Sequence, residues 1–180
     1  SFILNSLFVK IFNSIYYSLG KKKKGYKLVD YNTYFYPLDY FLNWNKIYGS
    51  KGFAQFQCVL PLKKAKLGMC ELLDAVSASK SISFLTVLKR FGMQESYLSF
   101  PMEGYTLTLD FPITKNSIDL MKKLDEITLK HEGRFYLAKD SRMSNYTLEK
   151  SDARFEKYKK FRSSEMKKSF SSVQSERLGL

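Results

Sequence analysis

Hydrophobic and polar positions along this chain repeat with two periods, and the switches between them predict its elements. In residues 53–60 (FAQFQCVL), Phe56, Cys58 and Leu60 share one side of an extended strand, and Gln55 and Gln57 share the other. Residues 61–79 change to helical spacing: Pro61 suits a first turn, and Leu62, Ala65, Met69, Leu72, Leu73 and Val76 form a stripe. Residues 82–91 (ISFLTVLKRF) read as a β-rich strand ended by Gly92. Residues 104–111 (GYTLTLDF) alternate again, with Tyr105, Leu107, Leu109 and Phe111 opposite Thr106, Thr108 and Asp110. A second helix is expected from an N-cap at Asn116 to His131, with Ile118, Met121, Leu124 and Thr128 near one face and Gly133 as its stop. Residues 134–138 (RFYLA) complete the series as a fourth short strand.

Strand, helix, strand, strand, helix, strand is the order of an α+β, ferredoxin-like split βαβ fold. Its right-handed crossovers put both helices on one face of an antiparallel sheet. In the strand order 4-1-3-2, strands 53–60 and 104–111 are central neighbours. Gln55, Gln57, Thr106 and Thr108 then form a polar patch on the side left open by the helices, a surface of donors and acceptors for another domain or a ligand.

The flanks read differently. Residues 2–19 are apolar nearly all round and suggest a buried or half-buried helix stopped by Gly20; they lack the basic leader of a signal peptide. Lys21–Lys24 suit a solvated loop. The segment 26–50 is crowded with Tyr and Phe and contains Trp44, which points to a core or pocket role ahead of base stacking. Residues 147–180 alternate helical and charged stretches. The organisation expected is therefore a helix and basic loop over 1–29, a main domain over 30–146 and a basic helical tail over 147–180. The missing initial Met suggests a cut from something longer, and the closing SERLGL a natural end.

Composition narrows the chemistry. Of 180 residues, 44% are hydrophobic, enough for a core and too many for a disordered chain. Thirty Lys and Arg against seventeen Asp and Glu leave +13, which calls for an anionic partner. Cys58 and Cys70 are expected as reduced core thiols, too few for a disulfide framework. One histidine, His131, leaves no redundancy for a zinc cluster or a Ser/His/Asp triad, and no metal site is expected. No uncharged apolar stretch reaches membrane-spanning length, so the expected location is cytoplasmic, with peripheral membrane contact as an extension.

A series of collinear motifs adds a resemblance. Tyr36-Pro37-Leu38-Asp39, then Trp44-Asn45, Tyr48-Gly49 and Gly52 to Gln57, are similar to a stretch of FAD-linked oxidases of the vanillyl-alcohol-oxidase superfamily, nearest the decaprenylphosphoryl-β-D-ribose 2-oxidases. The similarity continues through Ser83 to Lys89, Leu98 to Pro101, Gly104 to Pro112, Gly133 to Arg142 and Arg177-Leu178, covering roughly residues 30–180. It implies the substrate (cap) domain of an FAD-dependent oxidoreductase acting on CH–OH groups, inactive alone, whose open sheet face covers a flavin held by an absent N-terminal domain. It implies hydride transfer from a secondary alcohol of a sugar, such as a lipid-linked pentose phosphate, with a partner reductase or epimerase as a further expectation.

By the same resemblance Lys139 is the active-site lysine, a fixed cation beside the flavin edge where negative charge gathers on reduction. Tyr136 resembles the pocket tyrosine, and Gln55, Gln57 and Lys89 resemble polar residues of the substrate cavity, with Thr106 and Thr108 beside them. Thr108 stands where mycobacterial members carry cysteine, so capture by cysteine-directed inhibitors is not expected. Glu132 replaces a common glycine, and Glu165-Met166 an aspartate–proline. A sugar-lactone oxidase of the arabinono-lactone type is the alternative within the superfamily. An RNA-recognition module is the alternative outside it, and it conflicts with Gln and Thr on the central strands and with the missing aromatic motif, so no nucleic acid is expected.

Overall fold

A computed structural model describes residues 6–23, 25–36, 39–40, 42–79, 81–95, 98–165 and 170–180. The chain divides into two compact units, Ser1–Phe53 and Ala54–Leu180. Residues 2–5 of the first expected helix, Lys24, Pro37, Leu38 and Met166 lie outside the described residues.

In the first unit, helix α1 spans Ser6–Lys22 and runs through Gly20 instead of stopping there. One interior glycine costs a helix only about 1 kcal/mol, and Lys21 and Lys22 sit at the C-terminal end, where the helix dipole favours cations. Its apolar stripe of Phe8, Ile11, Phe12, Ile15 and Leu19 is exposed, which corrects the expected burial. Helix α2 (Tyr31–Phe35) is capped by Asp30, whose Oδ2 accepts from the Thr33 N–H at 3.0 Å. A 3-10 turn at Trp44–Tyr48 buries Tyr48, which stacks on Phe53 at 4.7 Å between ring centroids. The other described aromatics of 26–40 are exposed, so the crowding does not build one core.

The second unit carries the ferredoxin-like sheet. Strand β1 is Phe53–Pro61, followed by α3 (Leu62–Ala78), β2 (Thr86–Phe91), β3 (Gly104–Pro112), α4 (Lys115–Lys130) and β4 (Arg134–Phe135). The strand order is β2-β3-β1-β4, the expected 4-1-3-2 order read from the other edge. β4 runs antiparallel to β1 with Cys58 opposite Phe135, and β2 antiparallel to β3 with Lys89 opposite Thr106. Between the central strands Gln55 bonds Asp110 and Gln57 bonds Thr106, one number rising as the other falls, so these strands too are antiparallel.

Alternation decides the two faces. Phe56, Cys58 and Leu60 of β1 and Leu107, Leu109 and Phe111 of β3 form one core with Leu72 and Ala75 of α3 and Leu120, Met121, Leu124 and Ile127 of α4. α3 lies close against the sheet at Gly68, where a Cβ would stand 2.4 Å from Leu60 Cδ1. Leu62, Leu73 and Ile118, expected in the stripes, are exposed. Cys70 is exposed as well, while the buried Cys58 thiol, beside Thr128, is pushed up to about 12 by desolvation and stays an inert thiol.

Four boundaries shift for local reasons. β2 begins at Thr86, not at residue 82: Ser83 Oγ donates to the Leu85 carbonyl and accepts from the Asp110 N–H, taking bonds a longer ladder would use. α4 is capped by Thr114 instead of Asn116, through a reciprocal box in which Thr114 and Ser117 each accept from the other's backbone N–H. Glu132 takes the left-handed conformation at φ 57°, and Gly133 follows where a Cβ would meet Thr128 Cγ2 at 2.7 Å. β4 ends after Phe135, and Leu137–Lys139 coil into a 3-10 turn. Beyond them, α5 (Asn145–Ser151), α6 (Phe155–Glu165) and α7 (Val173–Leu178) fold back, and Leu148, Phe155 and Leu178 enter the same core.

Candidate functional site

The sheet face away from α3 and α4 gathers what the alternation placed there: Gln55 and Gln57 from β1, Thr106, Thr108 and Asp110 from β3, and Val87, Lys89 and Phe91 from β2. It is not bare, as expected, but layered. Thr106 and Asp110 are both 0% exposed, while Gln55, Gln57 and Thr108 are half-buried. Gln57 Nε2 donates to Thr106 Oγ1 at 3.2 Å, and Gln55 Nε2 to Asp110 Oδ1 at 2.7 Å. The long amides of β1 thus roof the short polar groups of β3.

Beside this layer opens a cavity of about 620 Å³, whose lining includes Gln57, Lys89, Phe91, Phe100, Tyr136 and Lys139. An aromatic wall forms one side: Phe100 lies 4.9 Å from the Tyr136 ring and 5.6 Å from Phe91. A niche of about 20 Å³ adjoins it, where Gln55 and Gln57 meet Tyr136, Lys139 and Arg142. Lys139, Tyr136, Gln55, Gln57 and Lys89 are therefore brought together. Thr106 is sealed and reaches the site only through Gln57, and Thr108, opposite Val87, lines neither cavity.

Tyr136 and Lys139 are set by a web outside the sheet. The Tyr136 N–H donates to the Gln57 carbonyl at 3.0 Å, extending the β4 pairing, and the Lys139 N–H closes the turn onto the Tyr136 carbonyl. From α7, Gln174 Nε2 donates to the Leu137 carbonyl at 2.6 Å and the Asp140 carbonyl at 3.2 Å, and Arg177 Nη2 to Asp140 Oδ2 at 2.8 Å. Burial alone would raise the Asp140 carboxyl, but the Met143 and Arg142 N–H groups and Arg177 outweigh it and hold it below the ordinary range. Arg142 grips Asp125 with two bonds of 2.7 and 2.8 Å; burial still leaves that carboxyl raised. On the far rim, Asp152 binds Arg154 and pairs with Arg134 at 3.6 Å; Arg154 donates to the Ser99 carbonyl, fixing the loop behind Phe100.

Sequence reasoning missed Asp110 as a member of this layer, though its place in the Thr106, Thr108, Asp110 alternation marks the face. It also missed Gln174, and gave no role to Arg177 and Arg142 although both stand in the matched motifs; the partners of all three lie far away along the chain. Burial pushes Asp110 up; Gln55 and the positive charge of Lys139 oppose this without reversing it. Among the described residues no group of three His, Cys, Asp or Glu is arranged to hold a metal ion.

No family model matches the chain. Over 123 residues, 68% of its length, it is 37% identical to decaprenylphosphoryl-β-D-ribose oxidase of Mycolicibacterium smegmatis (strain ATCC 700084 / mc(2)155). Over that stretch the chain is similar to an FAD-linked oxidase. It is matched to only 26% of that protein's length. The residues of the polar face suit the family's flavin: Lys139 is an exposed cation at the rim, and Gln55 and Gln57 present amide groups beside it. No described helix is long and apolar enough to cross a membrane.

Proposed function

We propose that this chain is the substrate-domain portion of an FAD-dependent oxidoreductase that oxidises a secondary alcohol of a sugar, a lipid-linked pentose phosphate. The observation that carries the reading is the meeting of Lys139, Tyr136, Gln57 and Lys89 around one cavity on the polar face of the sheet.

FAD, held by polypeptide outside this chain, would supply the hydride acceptor. The chain's own residues do the rest. Lys139 provides a fixed positive charge where negative charge develops, and the web from α7 keeps its turn in place. Gln57 and Tyr136 orient the sugar, and the Phe91, Phe100 and Tyr136 wall excludes water from one side. Lys89, exposed at the rim, suits the phosphate, and the +13 charge of the chain supports an anionic substrate at a membrane surface. A reductase or epimerase acting on the resulting keto sugar is the partner such an oxidation calls for.

The test uses the longer protein carrying this chain. It should purify yellow, and a polyprenylphosphoryl-β-D-ribose should bleach its flavin anaerobically. Bleaching by a sugar lactone and not by the lipid-linked pentose would move the substrate to the lactone class. A colourless protein that shifts single-stranded RNA in a salt-dependent way would overturn the reading.

A further inference from the structure

Gln55 and Gln57 occupy alternate positions on the polar face, about 6–7 Å apart along the strand. Each is tied the same way: its amide nitrogen donates inward to β3, to Asp110 Oδ1 for Gln55 and to Thr106 Oγ1 for Gln57. Neither side-chain oxygen, Gln55 Oε1 or Gln57 Oε1, accepts a hydrogen bond, and neither is among the sealed, unpartnered polar atoms of the described residues. Both oxygens are therefore open to solvent.

The two anchors differ in what they enforce. A hydroxyl such as Thr106 can donate or accept, so Gln57 is free to turn its amide over. When its carboxyl is ionised Asp110 only accepts, and only the NH₂ side of Gln55 can then face it. Asp110 is itself fixed: it is fully buried, and its backbone N–H is held by Ser83 Oγ at 3.1 Å.

We propose that Asp110 is a positioning residue that locks Gln55 with its carbonyl oxygen outward, so that the site selects ligands presenting a hydrogen-bond donor, a sugar hydroxyl, to Gln55. This deepens the oxidase reading and rests on it for the identity of the ligand, whereas the lock is a property of this chain alone. Gln57 supplies an adaptable second contact. A ligand edge offering only acceptors, such as a phosphate or carbonyl oxygen, meets a mismatch at Gln55 and is steered toward Lys89 or Lys139 instead.

Two arms test this. In the 180-residue chain, the side-chain amide resonances of Gln55 should shift markedly between wild type and Asp110→Asn, while those of Gln57 stay in place. Unchanged Gln55 resonances would overturn the lock, whatever the chain's enzymatic role. In the flavin-loaded longer protein, with a polyprenylphosphoryl-β-D-ribose as probe, Asp110→Asn and Gln55→Leu should each raise KM about five- to tenfold, the worth of one neutral hydrogen bond, with kcat changed far less. The double variant Gln55→Glu with Asp110→Asn reverses the inner bond, the amide introduced at 110 donating to the carboxylate introduced at 55, still leaves an acceptor facing outward, and should recover most of the loss. Equal KM in wild type and Gln55→Leu, or no rescue by the double variant while the visible flavin spectrum is intact, would overturn the selection. A wild-type protein without flavin would sink the oxidase reading and leave the first arm standing.

Discussion

The two faces of the sheet are built from the same strands and obey opposite rules. Toward α3 and α4, Phe56, Cys58 and Leu60 of β1 and Leu107, Leu109 and Phe111 of β3 are apolar and buried, so shape and volume decide what is tolerated. Away from them, buried polar groups are covered by longer polar groups, and what matters is which hydrogen bond each atom keeps. One alternation thus yields a face that stores stability and a face that stores chemistry. Substitutions on the first should change folding with the site intact, and substitutions on the second should do the reverse.

The largest expected effect is on the helical face. Leu124→Ala removes a fully buried side chain between α4 and the sheet and should cost about 3–5 kcal/mol in urea unfolding. A loss under 1 kcal/mol would mean that α4 is not held against the sheet as described. Next comes Arg142→Ala, which strips Asp125 of its bidentate partner and of the bond to the Met121 carbonyl. It should cost about 3 kcal/mol, toward the low end for breaking a buried pair because the Arg142 side chain is 22% exposed. Asp125→Asn should cost less, since it keeps an acceptor and sheds the charge that burial disfavours.

Asp110→Asn sharpens the contrast through pH. The folded carboxyl titrates above its ordinary value of 3.8, so between that value and the raised one the folded chain binds more proton than the unfolded chain. Wild-type stability from this group therefore falls as pH rises through that window. The melting temperature of Asp110→Asn should match wild type below pH 3.8 and exceed it above the window. Asp140 and Asp152, both held low, act in the opposite sense: their stability is present above 3.8 and lost as pH falls through their folded values. A wild-type advantage over Asp110→Asn at neutral pH would show that the carboxylate is a stabilising group and not a positioning one. The smallest effect on folding is expected from Lys139→Met: the side chain is exposed, and unfolding should shift by no more than about 0.5 kcal/mol.

The fold was legible because binary alternation and helical spacing carry it. Phe56, Cys58 and Leu60 against Gln55 and Gln57 fix the face of β1 without outside knowledge, and with β3 they predict the central pair of strands. What the sequence concealed was cooperative. Ser83 ends β2 by competing for backbone bonds, and nothing in its type shows that it will do so. Thr114 outranks Asn116 as a cap because Ser117 answers it across three residues. The exposed stripe of α1 carries the same residues a buried helix would, and burial depends on a covering partner that a stripe does not name. The site divides in the same way. Lys139 and Tyr136 came from family resemblance, since a lysine after a short strand has no signature of its own. Gln174 and Arg177 support that lysine from 34 or more residues away, a relation only the folded chain displays.

The most direct test compares wild type and Lys139→Met in the longer, flavin-loaded protein, following anaerobic flavin bleaching by a polyprenylphosphoryl-β-D-ribose in stopped flow. If the polar face serves the flavin, the bleaching rate should fall by about 10² or more, the scale of losing one preorganised charge-stabilising group, with melting temperature and flavin content kept. Bleaching at the wild-type rate in a folded, fully loaded Lys139→Met protein would contradict the assignment of this face to the reaction.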